Sequence, residues 1–393
     1  MSGKWQDVYA GLHNFITSNP GIIISNTGSS SVIAIPQEAR NEFYRRFEAI
    51  RIAFLEENFP TLLREAEILG EHYTKAEQEV KALLKLDNIF LLGFLDGFLH
   101  NPKGELIKKL YNPLWEVLKG KMSFDAFEKR GIDDLAAIFE HCHRLGYAKW
   151  VALSLVKMLE SDHIFSVTPP ESKIDGHKQP RCLEIPAPPP KESMVLSFEH
   201  GPNDYPPFIT PHFIVHSAKL DRYVSFRTEL QKAEYIALNL SDNQEWYRLE
   251  SIKQDYKLAM PNPSIIIYVA DKLEELALIA DKNVICRPDL IVECREPKDW
   301  DDKNTPVATK FYDILNPRLG RYIVSLEPVP EQVSQELTPE PAAQQLLDGQ
   351  GTKMEEKLAI HSLTIGLEQS KLETIIEVLV SNYGSRAHEK IAD

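Results

Sequence analysis

The run Arg287-Pro288-Asp289-Leu290-Ile291-Val292-Glu293-Cys294-Arg295-Glu296 sets charged groups inside an apolar frame. Its β-branched centre predicts a strand, in which alternate residues share a face. Asp289, Ile291, Glu293 and Arg295 then point one way, and Leu290, Val292 and Cys294 the other. A carboxylate beside a guanidinium on one face suits phosphodiester chemistry: the carboxylate helps hold Mg2+ and the cation stabilises charge on the attacked phosphate. The same pair has a plainer reading as an edge-strand ion pair, which adds little stability. Asp289 cannot share one ion with Glu293, because at about 3.3 Å per residue the two stand about 13 Å apart, against a Mg2+–oxygen distance of about 2.1 Å.

Other chemistry-bearing clusters are weaker. His141-Cys142-His143 diverge around a helix and do not converge on one ion. His212 and His216 share a face of a strand but stand about 13 Å apart, which favours a structural or surface role. Gly28-Ser29-Ser30-Ser31 lacks the Gly-Lys-Ser/Thr ending of a phosphate loop and reads as a hairpin tip. Arg45-Arg46 with Arg51, and Lys108-Lys109, lie among acids and read as solvated helix faces.

The elements that must position these residues fall into several stretches. A helix over about Trp5 to Thr17 precedes a hairpin of Ile22 to Ile24 and Val32 to Ile35 around Asn26-Thr27-Gly28. After Pro36, Phe43, Phe47, Ile50 and Phe54 recur at the spacing of one helical face. Thr74-x-x-Glu77 predicts a helix start by a capping box, with Val80, Leu83, Leu84 and Phe90 continuing the stripe behind it. Helical patterning runs to about Leu159. Prolines crowd Thr168 to Ser193, which reads as a linker. Strand patterns follow at Phe213 to Val215, Tyr223 to Phe226, Tyr235 to Leu238, Ile265 to Val269, Leu290 to Val292 and Tyr322 to Leu326. Helices over Asp271 to Ala280 and Pro306 to Leu315 would cover the wholly apolar strands, and Thr305 as N-cap with Pro306 places Lys310 on the second. Past the Pro- and Gln-rich Glu327 to Gly351, Thr352-x-x-Glu355 caps a terminal helix with an apolar stripe of Leu372, Ile375, Ile376 and Leu379. The expected organisation is α + α/β. It comprises a mainly helical domain over 1–165, a linker over 166–194, an α/β sandwich over 195–330, a second linker over 331–351 and a helical segment over 352–393.

The segment from about Met260 to Pro328 resembles the Uma-type endonuclease family of the PD-(D/E)xK restriction-endonuclease-like superfamily. The likeness lies in order and spacing: Pro263-Ser264-Ile265-Ile266-Ile267-Tyr268-Val269, then Leu273 and Leu276, Pro288 to Glu293, Lys310, and Tyr322-Ile323-Val324. It implies a restriction-endonuclease-like α/β sandwich cleaving DNA with Mg2+, in which Glu293 is a metal ligand and Lys310 the charge-stabilising lysine. The position of the family's other metal carboxylate falls on Ser264, a neutral hydroxyl and a poor Mg2+ ligand. Asp271, Glu245 or Glu250 would have to replace it in space.

Composition limits the partners. A net charge of −14 excludes a protein that coats nucleic acid or an anionic membrane, so DNA contact would be local. The 4 cysteines show no disulfide or zinc spacing, which leads us to expect a reducing cytoplasm. The most apolar stretch, Ile89 to Leu99, is short and broken by Asp96, so neither export nor a membrane span is expected. Two readings remain. In one, a partner-binding helical domain is tethered to a Mg2+-dependent nuclease retaining Glu293, Arg295 and Lys310. In the other, a nuclease-fold protein has lost the metal site and serves as an interaction or regulatory module. The terminal stripe would allow a homo-oligomer under either.

Overall fold

The computed structural model describes residues 4–27, 30–168, 189–200, 210–229, 235–238, 245–248, 264–277, 288–295, 315, 317–329 and 360–384. The chain divides into two compact units, Met1–Thr74 with Leu92–Gly146, and Lys75–Leu91 with Tyr147–Asp393.

The first unit is helical. It contains α1 (Lys4–Ser18), the antiparallel hairpin of β1 (Ile23–Thr27) and β2 (Ser30–Ala34), α2 (Gln37–Asn58), the start of α3 (Pro60–Leu84), α4 (Gly93–His100), α5 (Pro102–Lys109), α6 (Tyr111–Leu118) and most of α7 (Phe124–Met158). The expected stripe on α2 is the core: Phe43, Phe47, Ile50 and Phe54 are all fully buried. Phe43 stacks on Trp115 at 5.5 Å and Trp5 meets Phe54 edge-on at 5.6 Å, geometries favoured by the ring quadrupole. The backbone N–H of Trp5 donates to Glu57 Oε2 at 2.9 Å, satisfying one of the amides that a helix N-terminus leaves open.

The capping box expected at Thr74 is not a helix start. α3 begins at Pro60 and runs through Thr74 and Glu77, because Leu63, Ala66, Tyr73, Ala76 and Val80 form one unbroken buried stripe. Glu77 pairs forward with Lys81 at 2.6 Å. Lys85, at φ 54, ends the helix in the left-handed region, and Phe90 leaves the stripe to lie exposed on a strand.

The second unit is built on sheets. β3 (Asn88–Phe90) pairs in parallel with β6 (Val195–Ser197). The main sheet takes β4 (Ser161–Ser166), β5 (Lys191–Glu192), β7 (Phe213–Ser217), β8 (Arg222–Arg227), β11 (Ile265–Ala270), β12 (Leu290–Cys294), β13 (Gly320–Ser325) and β14 (Ile360–Thr364). The 8 strands run in the order β14-β13-β12-β11-β8-β7-β4-β5. From β5 to β12 neighbours are antiparallel, whereas β12, β13 and β14 are parallel. β9 (Tyr235–Leu238) and β10 (Glu245–Arg248) form a separate antiparallel pair. α8 (Leu273–Ala277) follows β11, and α9 (Glu373–Tyr383) closes the described chain. The wholly apolar strands lie at the centre: Ile265, Ile266, Ile267, Ile291, Val292, Ile323 and Val324 are fully buried.

The chain is thus mixed helix and sheet, but it divides elsewhere than its prolines suggest. β4 lies before the Pro-rich stretch and β14 after the Gln-rich one, and both join the main sheet. The terminal stripe is also used internally. Leu372, Ile375, Ile376 and Leu379 are each 0% exposed within the chain, so they offer no free face for self-association. Among the described residues no helix is long and apolar enough to cross a membrane.

Candidate functional site

Glu293 lies on β12, between β11 and β13 in the sheet interior, so the edge-strand reading is corrected. All five residues of β12 are buried, which the alternation of charged and apolar residues did not foretell. The shared face does bring the expected pair together: Arg295 Nε donates to Glu293 Oε1 at 2.6 Å, with side chains 14% and 3% exposed. Glu293 Oε2 is buried without a hydrogen-bond partner.

Ser264 immediately precedes Ile265, which pairs with Val292, the residue before Glu293. The position expected for a second ligand is therefore beside β12. Its hydroxyl, however, accepts the Cys294 backbone N–H at 2.9 Å, which closes the strand end. Asp271 does not replace it, because its carboxylate is held by Arg222 Nε at 2.6 Å. Glu245 lies on β10, in the separate two-stranded sheet. Lys310 and Glu250 lie outside the described residues. Asp289 is held by other partners: Oδ2 accepts Val269 N–H at 2.6 Å, and Oδ1 accepts the Tyr383 hydroxyl and lies 3.6 Å from Arg318 Nη1. Burial raises its carboxyl above the usual range, against these three stabilising groups.

In comparisons with known proteins, no family model matches the chain, and no curated protein or solved structure matches it significantly.

Two clusters lie outside the expected site, and the first is a buried polar network. Lys149, 1% exposed, donates to Thr228 Oγ1 at 2.7 Å and Glu229 Oε1 at 3.0 Å and stands 5.1 Å from the Phe198 ring centre. Arg227, also 1% exposed, places Nη1 at 2.7 Å from His212 Nε2. His212 is therefore a core residue ahead of β7. Burial first, then the charge of Arg227 and the neighbouring His200 and Lys149, holds its imidazole well below the usual range. These contacts tie both cations to neighbouring side chains in the interior, which gives the network a structural role.

The second cluster is Asp162, His163 and His216, in which one potential ligand atom from each residue lies within 4.8 Å of the others. Sequence spacing missed it, since Asp162 and His216 are 54 residues apart. The signal available was an acid-imidazole pair inside an otherwise strand-like stretch, Ser161-Asp162-His163-Ile164.

The remaining expectations divide. His143 stacks on Phe139 at 5.2 Å while Cys142 is buried, its thiol pushed up to about 11 by burial, so these neighbours diverge as expected. Arg45 and Arg46 pair with Glu42 at 2.7 and 2.6 Å on α2. Arg51 is half-buried rather than on a solvated face. It donates to Ile107 O at 3.2 Å and lies 5.3 Å over the Phe47 ring, and burial lowers its pKa.

Proposed function

We propose that the sheet-bearing unit is a restriction-endonuclease-like α/β module that has lost its Mg2+ site and serves as an interaction or regulatory module, with the helical unit offering the surface for a protein partner. One observation carries this reading: both groups aligned with metal ligands are spent on the fold. Glu293 is neutralised by Arg295 at 2.6 Å, and the Ser264 hydroxyl accepts the Cys294 amide. The order of the sheet supports the family likeness, since the Glu293 strand pairs antiparallel with the strand after Ser264 and parallel with the last strand of the resemblance. A net charge of −14 also disfavours broad DNA binding.

A second reading is Mg2+-dependent hydrolysis of DNA by Glu293, Arg295 and Lys310. The buried, unpartnered Glu293 Oε2 favours it, because a carboxylate oxygen kept dry and open suits a metal. Calorimetric titration of Mg2+ into the full chain and its Glu293→Ala variant, with cleavage assays on single- and double-stranded DNA, separates the two. The degenerate module shows neither saturable Mg2+ binding nor cleavage. Binding and cleavage that are both abolished in Glu293→Ala would establish the nuclease instead.

A further inference from the structure

Strand β4 breaks the alternation expected of a strand. Ser161 and Ile164 are buried, but the consecutive residues Asp162 and His163 are both exposed. The cause is in the pairing with β7, where Ser161 faces Ser217 and His163 faces His216, so the register shifts between them. A bulge of this kind sets two residues of one strand against one of its partner and re-aims a side chain. Here it gathers a carboxylate and two imidazoles on one side of the sheet.

Asp162 Oδ1 lies 3.0 Å from His163 Nδ1 and 2.8 Å from His216 Nδ1. The far nitrogens meet further acids: His216 Nε2 is 3.8 Å from Asp221 Oδ1, and His163 Nε2 is 4.0 Å from Glu192 Oε1. The His216 ring is also packed against Tyr223 at 5.1 Å between centroids.

We infer that Asp162, His163 and His216 form a surface site for a divalent transition metal such as Zn2+, bound by the Asp162 carboxylate and both Nδ1 atoms. Two neutral imidazoles with one carboxylate suit zinc and its neighbours, whereas Mg2+ and Ca2+ prefer oxygen alone. Ligand atoms on a tetrahedral zinc stand about 3.3 Å apart, so the two Asp162–imidazole separations need open by only a few tenths of an ångström, and all three atoms already lie within 4.8 Å of one another. Asp221 and Glu192 stand 3.8 and 4.0 Å from the Nε2 atoms, outside hydrogen-bond range, and add local negative charge that favours a cation. The site lies on open surface, with His163 53% exposed, so three protein ligands leave a coordination position for water or a ligand. It is independent of Glu293, because β7 stands three strands from β12 in the sheet.

The test is calorimetric titration of Zn2+ into the tag-free, chelator-stripped full chain at neutral pH, with Co2+ absorption as a report on ligand geometry. The inference expects one saturable Zn2+ per chain and ligand-field bands from Co2+. It expects affinity to fall more than about tenfold in His163→Asn and in His216→Asn. His13→Asn, an exposed change on α1, leaves binding intact. Asp162→Asn provides a further exposed ligand variant, and circular dichroism verifies that each variant is folded. Absence of saturable Zn2+ binding, or binding undiminished in folded His163→Asn and Asp162→Asn, overturns the site and leaves a hydrogen-bonded cluster of Asp162 with the two imidazoles.

Discussion

Tyr383, near the end of α9, donates its hydroxyl hydrogen to Asp289 Oδ1, joining residues 94 apart in the chain. Asp289 is fully buried just before β12, so this bond ties the last helix to the central sheet. Tyr383→Phe removes a donor from a buried acid that has Val269 N–H and Arg318 as its other supports. The variant is expected to lose about 1.5–3 kcal/mol of unfolding free energy, the range for a hydrogen bond to a charged group, measured by urea titration. A loss under about 0.5 kcal/mol would show that the bond does not hold the helix.

The imidazoles of His200 and His212 give the protein an acid-side weakness. Burial, reinforced by the charge of Arg227, pushes His200 down to about 4 and His212 well below its ordinary value. Such groups take up protons on unfolding, so their contribution is present above about pH 6.5 and is lost as pH falls toward the folded value. For His200 the window runs from about pH 6.5 down to about 4, with a slope of about 1 kcal/mol per pH unit. Glu199, raised by burial, acts with the opposite sign, losing its contribution as pH rises through its folded value. Urea midpoints for wild type and His200→Gln across this window isolate the His200 part: the variant is expected to show a shallower decline on the acid side. Parallel curves would exclude His200 as the source.

Local spacing made much of this fold legible. The α2 stripe is legible from its 3.6-residue spacing, and strands β7, β8, β11, β12 and β13 from short apolar, β-branched runs, which in β11, β12 and β13 are buried on both faces. β4 and β14 were missed because their place depends on partners distant in sequence: β4 pairs with β7 across the Pro-rich stretch, and β14 with β13 across the Gln-rich one. The same limit applies to the sites. Alternation puts Glu293 and Arg295 on one face, as observed, whereas Ser264 entered only through the family resemblance, and the structure sets it beside the end of β12. Nothing local could reveal that the Ser264 hydroxyl is taken by an amide, or that a bulge turns Asp162 and His163 toward His216.

The Glu293–Arg295 pair supports a prediction about its energetic role. Arg295→Met leaves a carboxylate only 3% exposed without its cation, at an expected cost of about 3 kcal/mol. Adding Glu293→Gln removes the orphaned charge and should recover most of that loss, so a double-mutant cycle by urea denaturation gives a coupling of about 1–3 kcal/mol. Additive single changes would mean that the two side chains do not depend on each other in the folded protein.

Thr74 tests the helix boundary directly. As the N-cap of a capping box, its hydroxyl would satisfy an open amide, and Thr74→Ala would cost about 1 kcal/mol. In α3, which runs unbroken from Pro60 to Leu84, that amide already has a helical partner and the β-branched threonine is a poorer helix former than alanine. Thr74→Ala is therefore expected to leave stability unchanged or raise it by about 0.5 kcal/mol. The measurement is the shift in urea midpoint at constant slope. A loss of about 1 kcal/mol would instead place a helix start at Thr74, and with it a break in the buried stripe that joins Tyr73 to Ala76 and Val80.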